Sequence, residues 1–195
     1  MDTVVYVHGK GGNAQESAHY EPLFPDCKVV GADYRSSVPW VAAKEIKEEI
    51  DRIGGDIILI ANSIGAYFSM CAGIAERVKK AFFISPVIDM ERMILNLTSQ
   101  SGVGEEDLKN RGVIPTAFGE DLSWEYLCYV RENKVVWFVP TAILYGEKDN
   151  LVEKKTVEAF AKKVGASLTV MDGGEHWFHT EEQMRFLDDW IRGER

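Results

Sequence analysis

A chain of 195 residues, 46% hydrophobic and 27% charged, has the composition of one soluble globular domain and excludes a disordered, fibrous or membrane-embedded protein. Its 31 acidic side chains outnumber the 22 basic ones, and the formal charge of −9 disfavours any partner that presents phosphates, whether nucleic acid or an anionic membrane surface. No apolar run nears the roughly 20 residues a bilayer requires. Met1, Asp2 and Thr3 do not open a signal peptide, and the widely spaced Cys27, Cys71 and Cys128 form neither a disulfide framework nor a zinc motif, so a cytoplasmic protein with reduced cysteines is expected.

Short apolar runs alternate with longer segments of helical period, which predicts a parallel sheet flanked by helices. Strands are expected at 3–7, 28–33, 56–61, 80–85, 141–146 and 167–171, each apolar enough to be covered on both faces. Between the second and third strands, Ala42, Ala43, Ile46, Ile50 and Ile53 recur at helical spacing over 38–53. Ser37 is the expected cap, Pro39 suits the first turn and Gly54 ends the helix. A second helix over 65–76 is apolar all round, and a third over 151–164 meets Gly165 where a left-handed cap belongs. The last helix begins at Thr180, with Gln183 at capping-box spacing. Only 89–134 breaks the alternation: it has helical pieces near 90–97, 105–109 and 124–131, no clear strand, and turn formers such as Gly104, Gly112 and Gly119. It reads as a helical insertion or small lid within a single domain spanning 1–195. Phe118, Trp124 and Tyr126 are its candidate exposed aromatics.

Chemistry concentrates where strands end. Ile58 to Ala66 is a buried strand running into a helix with Ser63 at the junction. A serine held in so sharp a turn needs small neighbours two places to either side, and Ala61 and Gly65 supply them as A-x-S-x-G in place of G-x-S-x-G. The bland alternative is that Ser63 only caps the following helix. The fifth strand delivers Asp149 to the same sheet edge, and the sixth ends in Gly173, Gly174, Glu175, His176, whose glycines permit a tight excursion of the imidazole. Asp89, after the fourth strand, is the alternative acid. The first strand ends in His8, Gly9, Lys10, Gly11, Gly12. His8 is expected to order that loop, and His179 to line a pocket or face solvent. The pair His176 and His179 lacks a third ligand and the H-E-x-x-H context, so no metal is expected.

The order Ser63, Asp149, His176 and the H-G-x-G loop at His8 resemble the α/β-hydrolase superfamily, in particular a short bacterial-type serine hydrolase or esterase with a small lid and a sheet lacking the first two strands. The resemblance implies a three-layer α/β fold with a six-stranded, mostly parallel sheet of order 2-1-3-4-5-6. It also implies a Ser63, His176, Asp149 triad, an oxyanion hole from the backbone amides of Lys10 and Ile64, and no cofactor. The expected partner is a small-molecule acyl substrate, with Met90, Met93, Trp124 and Trp177 as candidate pocket residues and core packing as their alternative role. Two other readings stay open. Gly9 to Ala14 also satisfies G-x-G-x-x-A with Asp33 about 20 residues on, as in a Rossmann dinucleotide site; and a hydrolase-like scaffold can serve binding alone.

Overall fold

The computed structural model describes residues 2–116 and 121–195; Phe118 and Gly119 lie outside them. In chain order the strands are β1 (Thr3–Val7), β2 (Lys28–Gly31), β3 (Ile57–Asn62), β4 (Val78–Ile84), β5 (Val113–Ile114), β6 (Leu122–Ser123), β7 (Thr141–Gly146) and β8 (Ser167–Met171). The α-helices are α1 (Pro39–Asp51), α2 (Ile64–Cys71), α3 (Met90–Gln100), α4 (Glu105–Arg111), α5 (Trp124–Glu132), α6 (Lys154–Val164) and α7 (Glu181–Glu194). The chain divides into two compact units, one made of Met1–Ile88 with Val136–Arg195 and the other of Asp89–Val135.

The first unit is built on a six-stranded sheet of order β2-β1-β3-β4-β7-β8, parallel at every pairing. Its order is the one expected, and the parallel pairing is complete. Residues alternate between two covered faces. Val4, Tyr6, Ile60, Phe82, Ile84 and Leu144 pack in one core with Tyr20, Leu23 and Phe24 of a 3₁₀ helix (Ala14–Leu23) and with Leu187, Trp190 and Ile191 of α7. Because Val7 pairs with Ala61, Asn62 with Ile84 and Gly146 with Met171, the carboxyl ends of the central strands finish level. The order reverses between β1 and β3, so the loops that follow these two strands diverge and leave a crevice at that rim.

Differences from expectation have local causes. β2 stops at Gly31, where a Cβ would stand 1.9 Å from the Ala14 carbonyl oxygen, so the strand ends where the 3₁₀ helix crosses it. The cap of α1 is Val38 and not Ser37; Ser36 Oγ accepts the Val38 amide at 3.2 Å, and Pro39 opens the helix as expected. α2 ends at Cys71 instead of reaching 76, because Gly73 turns to φ +66° before a short 3₁₀ turn. α6 begins at Lys154 instead of 151, since the Asp149 carboxylate takes the amides of Leu151 and Val152. Gly165 does adopt the left-handed cap. Thr180 accepts the Gln183 amide, but the Gln183 side chain reaches back to the His179 amide and not to that of the cap itself.

The second unit contains α3, α4 and α5 and, against expectation, the antiparallel pair β5 and β6. Arg131 joins its parts, donating to Glu91 at 2.8 Å and to both oxygens of Glu105 at 2.6 and 2.9 Å, while Lys134 reaches Glu91 at 3.1 Å. Hydrogen bonds from Arg131 hold both carboxyls below the usual glutamate range. Among the described residues no helix is long and apolar enough to cross a membrane.

Candidate active site

At the end of β3 the chain turns into α2 through Ser63, whose backbone lies at φ 52°, ψ −120°. Only Ser85, at φ 43°, shares a positive φ among the described non-glycine residues. Such a conformation costs of order 1–3 kcal/mol and persists only when its surroundings impose it. Here the Ser63 amide donates to Ile84 at 2.9 Å and its carbonyl accepts from Val87 at 3.0 Å, so the end of β4 and the segment after it fix both sides of the turn. Gly65 fixes the other wall: a Cβ there would meet the backbone oxygens of His8 at 2.3 Å and Val7 at 2.7 Å. Since both obstacles are main chain, Gly65→Ala is expected to destabilise by about 3 kcal/mol, seen as a melting temperature lowered by ~5–10 °C in thermal denaturation.

His176 is brought to Ser63 by two interlocked loops. Lys148 donates its amide to Gly174 at 2.7 Å and Glu147 its amide to Met171 at 3.0 Å, tying the turn after β7 to the turn after β8. The approach is close enough that a Cβ on Gly146 would stand 2.4 Å from the Glu175 carbonyl oxygen. Tyr145 anchors the acid's loop from within, its hydroxyl donating to the Val152 carbonyl at 2.7 Å. Burial, with the Asp149 charge adding to it, pushes the pKa of that phenol up to about 12.

The result is a contiguous line of side chains drawn from positions 113 and 27 residues apart. Ser63 Oγ lies 2.8 Å from His176 Nε2, and His176 Nδ1 lies 2.7 Å from Asp149 Oδ2. The carboxylate fixes the imidazole proton on Nδ1, which leaves the Nε2 lone pair facing the serine hydroxyl. The Asp149 side chain is wholly buried and that of His176 is 5% exposed, whereas Ser63 is half-buried and open to a ligand. The second oxygen of Asp149 accepts from the amides of Leu151 at 2.8 Å and Val152 at 3.0 Å. The arrangement is consistent with a catalytic triad. Asp89, the alternative acid, instead caps α3 by accepting the Arg92 amide at 3.0 Å.

The glycine loop lies directly beside the serine, since a Cβ on Gly9 would come 3.2 Å from Ser63 Cβ. Lys10 follows Gly9, and Ile64 follows Ser63 as the first residue of α2. His8 is buried, stacked on Tyr34 with ring centroids 4.2 Å apart, and its ring nitrogens face the carbonyls of Gly9 at 2.8 Å and Tyr34 at 3.2 Å, which fits a loop-ordering part. The same loop leads into a 3₁₀ helix and not an α-helix, so the dinucleotide reading lacks the helix terminus on which a pyrophosphate would rest. His179 is exposed and bonds the Trp177 carbonyl at 2.8 Å. Trp177 stands 67% exposed immediately after His176. Met90 and Trp124 belong to the second unit, Met90 buried at the start of α3 and Trp124 with Lys109 Nζ 5.9 Å from its ring centre. Sequence reasoning passed over Tyr6, Glu16 and Asn62, which surround the glycine loop.

No family model matches the sequence, and no curated protein does. Solved structures do. A putative hydrolase from Agrobacterium vitis S4 superposes with a TM-score of 0.79 at 14% identity, covering 98% of this chain and 87% of its own. Est1E from Butyrivibrio proteoclasticus gives 0.78 at 15%, covering 99% and 86%, and was also solved with ferulic acid bound. The mouse alpha/beta hydrolase domain-containing protein 10 gives 0.80 at 15%, covering 98% and 88%. The chain has the α/β-hydrolase fold. Within this hydrolase fold the crevice rim between β1 and β3 carries both the glycine loop and Ser63, and the loops after β7 and β8 supply the carboxylate and the imidazole.

Proposed function

We propose that the chain is a serine hydrolase that cleaves a small or medium acyl ester through an acyl-enzyme. The observation that carries this is the unbroken line from Ser63 Oγ through the His176 ring to Asp149 Oδ2. His176 Nε2 takes the hydroxyl proton as Ser63 Oγ bonds to the substrate carbonyl carbon. The tetrahedral oxyanion is held by the backbone amides of Lys10 and Ile64, where one such donor is typically worth ~10²- to 10³-fold in turnover. His176 then passes its proton to the departing alcohol. Water, deprotonated by the same nitrogen, attacks the acyl-enzyme and releases the acid, while Asp149 holds the ring's tautomer and stabilises the imidazolium.

An acyl group of modest size is favoured because Est1E, with the same fold, binds ferulic acid. Trp177, exposed immediately after His176, is assigned to the acyl pocket, and the stretch 89–134 is an inserted helical unit. The cytoplasm is the proposed compartment, in line with Cys27, Cys71 and Cys128 all being free thiols.

The test is labelling with a fluorophosphonate followed by mapping of the modified peptide. The expected adduct is on the peptide that carries Ser63. Failure to label, or an adduct on another serine with Ser63 unmodified, would overturn the assignment. Competition by short esters, thioesters and amides then ranks the substrate classes.

A further inference from the structure

Behind the glycine loop, polar side chains run from the residue before Ser63 to the loop's far end. Tyr6, on β1 and only 2% exposed, donates its hydroxyl to Glu16 Oε2 at 2.7 Å. The other oxygen of Glu16 accepts the Asn13 amide at 3.2 Å. The carboxylate rests against Gly12, where a Cβ would come within 2.8 and 2.9 Å of its two oxygens. At the opposite end, the side-chain amide of Asn62 lies against Gly9, where a Cβ would sit 3.7 Å from Nδ2. Burial drives the Tyr6 phenol far above its ordinary range, with Glu16 adding in the same direction, so the hydroxyl keeps its proton and acts as donor.

Two features set this apart from ordinary satisfaction of a buried hydroxyl. Glu16 is an exposed residue whose carboxylate is free to hydrate, yet it turns inward across a glycine that alone leaves room for it. The bond it accepts is charge-assisted and therefore stronger than a neutral one. The loop it spans contains Gly9, Gly11 and Gly12, residues with little conformational preference of their own. An oxyanion donor must meet the developing charge at about 2.7–3.1 Å, a tolerance of a few tenths of an ångström. A segment so rich in glycine needs an external fastening to meet it.

We infer that Tyr6 and Glu16 are positioning residues: with Asn62 they form one relay that sets the spacing between Ser63 and the loop from Gly9 to Asn13, and through it the placement of the Lys10 amide. The inference rests on the serine-hydrolase reading of the same site.

Steady-state kinetics on a p-nitrophenyl ester test it, together with hydrogen exchange of the 9–13 peptide and thermal melting. Tyr6→Phe and Glu16→Ala should each lower kcat about ten- to a hundredfold, with KM held within about twofold. Glu16→Gln, which keeps an acceptor but not the charge, should recover part of the loss. Gly12→Ala should reproduce Glu16→Ala, because the new methyl displaces the carboxylate. The double variant Tyr6→Phe, Glu16→Ala should be no slower than the worse single one, and exchange should quicken in 9–13 alone. Unchanged kcat in Tyr6→Phe, effects that simply multiply, or a loss that follows the melting temperature without local exchange would overturn the relay. If Ser63→Ala retains turnover while the exchange result holds, the hydrolase reading fails and the relay stands as a loop fastening. If Ser63→Ala is dead and Tyr6→Phe is unaffected in both kcat and exchange, the relay alone fails.

Discussion

Ser63→Ala should end fluorophosphonate labelling and lower the turnover of a short p-nitrophenyl ester by about a millionfold, the scale seen when a nucleophile is removed from such a site. The protein should stay folded, because alanine keeps the Cβ that already occupies the turn and the flanking bonds to Ile84 and Val87 are made by main-chain atoms. Ser63→Gly separates chemistry from strain. Glycine accepts φ 52°, ψ −120° without steric conflict, so this variant should be as inactive as Ser63→Ala yet more stable by ~1 kcal/mol. Measured together, melting temperature and rate should move in opposite directions relative to the parent protein. A Ser63→Ala protein that still turns over the ester would refute the assigned nucleophile.

The second large effect is expected at Asp149. Two backbone donors, the amides of Leu151 and Val152, hold Oδ1 in place. In Asp149→Asn the carbonyl oxygen of the new amide takes that position, which turns its NH₂ toward His176 Nδ1. A donor there forces the proton onto Nε2, so the ring faces Ser63 with an N–H and not a lone pair. Turnover should drop by about 10⁴-fold while the loops keep their geometry. The discriminating measurement is the pH profile. In Asp149→Asn a rise of activity at high pH should remain, as hydroxide replaces the missing base. A variant as fast as the parent would return Asp89 to consideration, although that residue is engaged in capping α3.

The sheet was largely legible from sequence. β1, β7 and β8 run over the residues expected because each is an apolar run bounded by polar or turn-forming residues. The pair β5 and β6 was not legible, since two residues per strand show no period. Helix ends moved where a neighbouring side chain took the backbone amides, as Asp149 does for the first turn expected of α6, or where a glycine turned left-handed, as Gly73 does after α2. The site followed the same division. Ser63, Asp149 and His176 stood out because each follows a strand and the strands end together. Asp149 was preferred to Asp89 from the sequence alone, and the sheet order, which sets β7 beside β8, brings its loop within bonding distance of the loop that carries His176. The contact between Tyr6 and Glu16 was beyond sequence reasoning, because it depends on the pitch of a 3₁₀ helix crossing Gly31 and on the space left at Gly12.

The imidazole follows the serine by 113 residues in chain order. His176 follows β8, which among the described residues pairs only with β7, and its loop is clasped by Glu147 and Lys148, which precede it in the chain. On the serine-hydrolase reading, a nascent polypeptide displays its serine hydroxyl before the base that would activate it has been made, and reactivity waits until β8 has docked beside β7. The return of turnover after dilution from denaturant would on that reading time the meeting of Ser63 and His176 across 113 residues and not the collapse that precedes it.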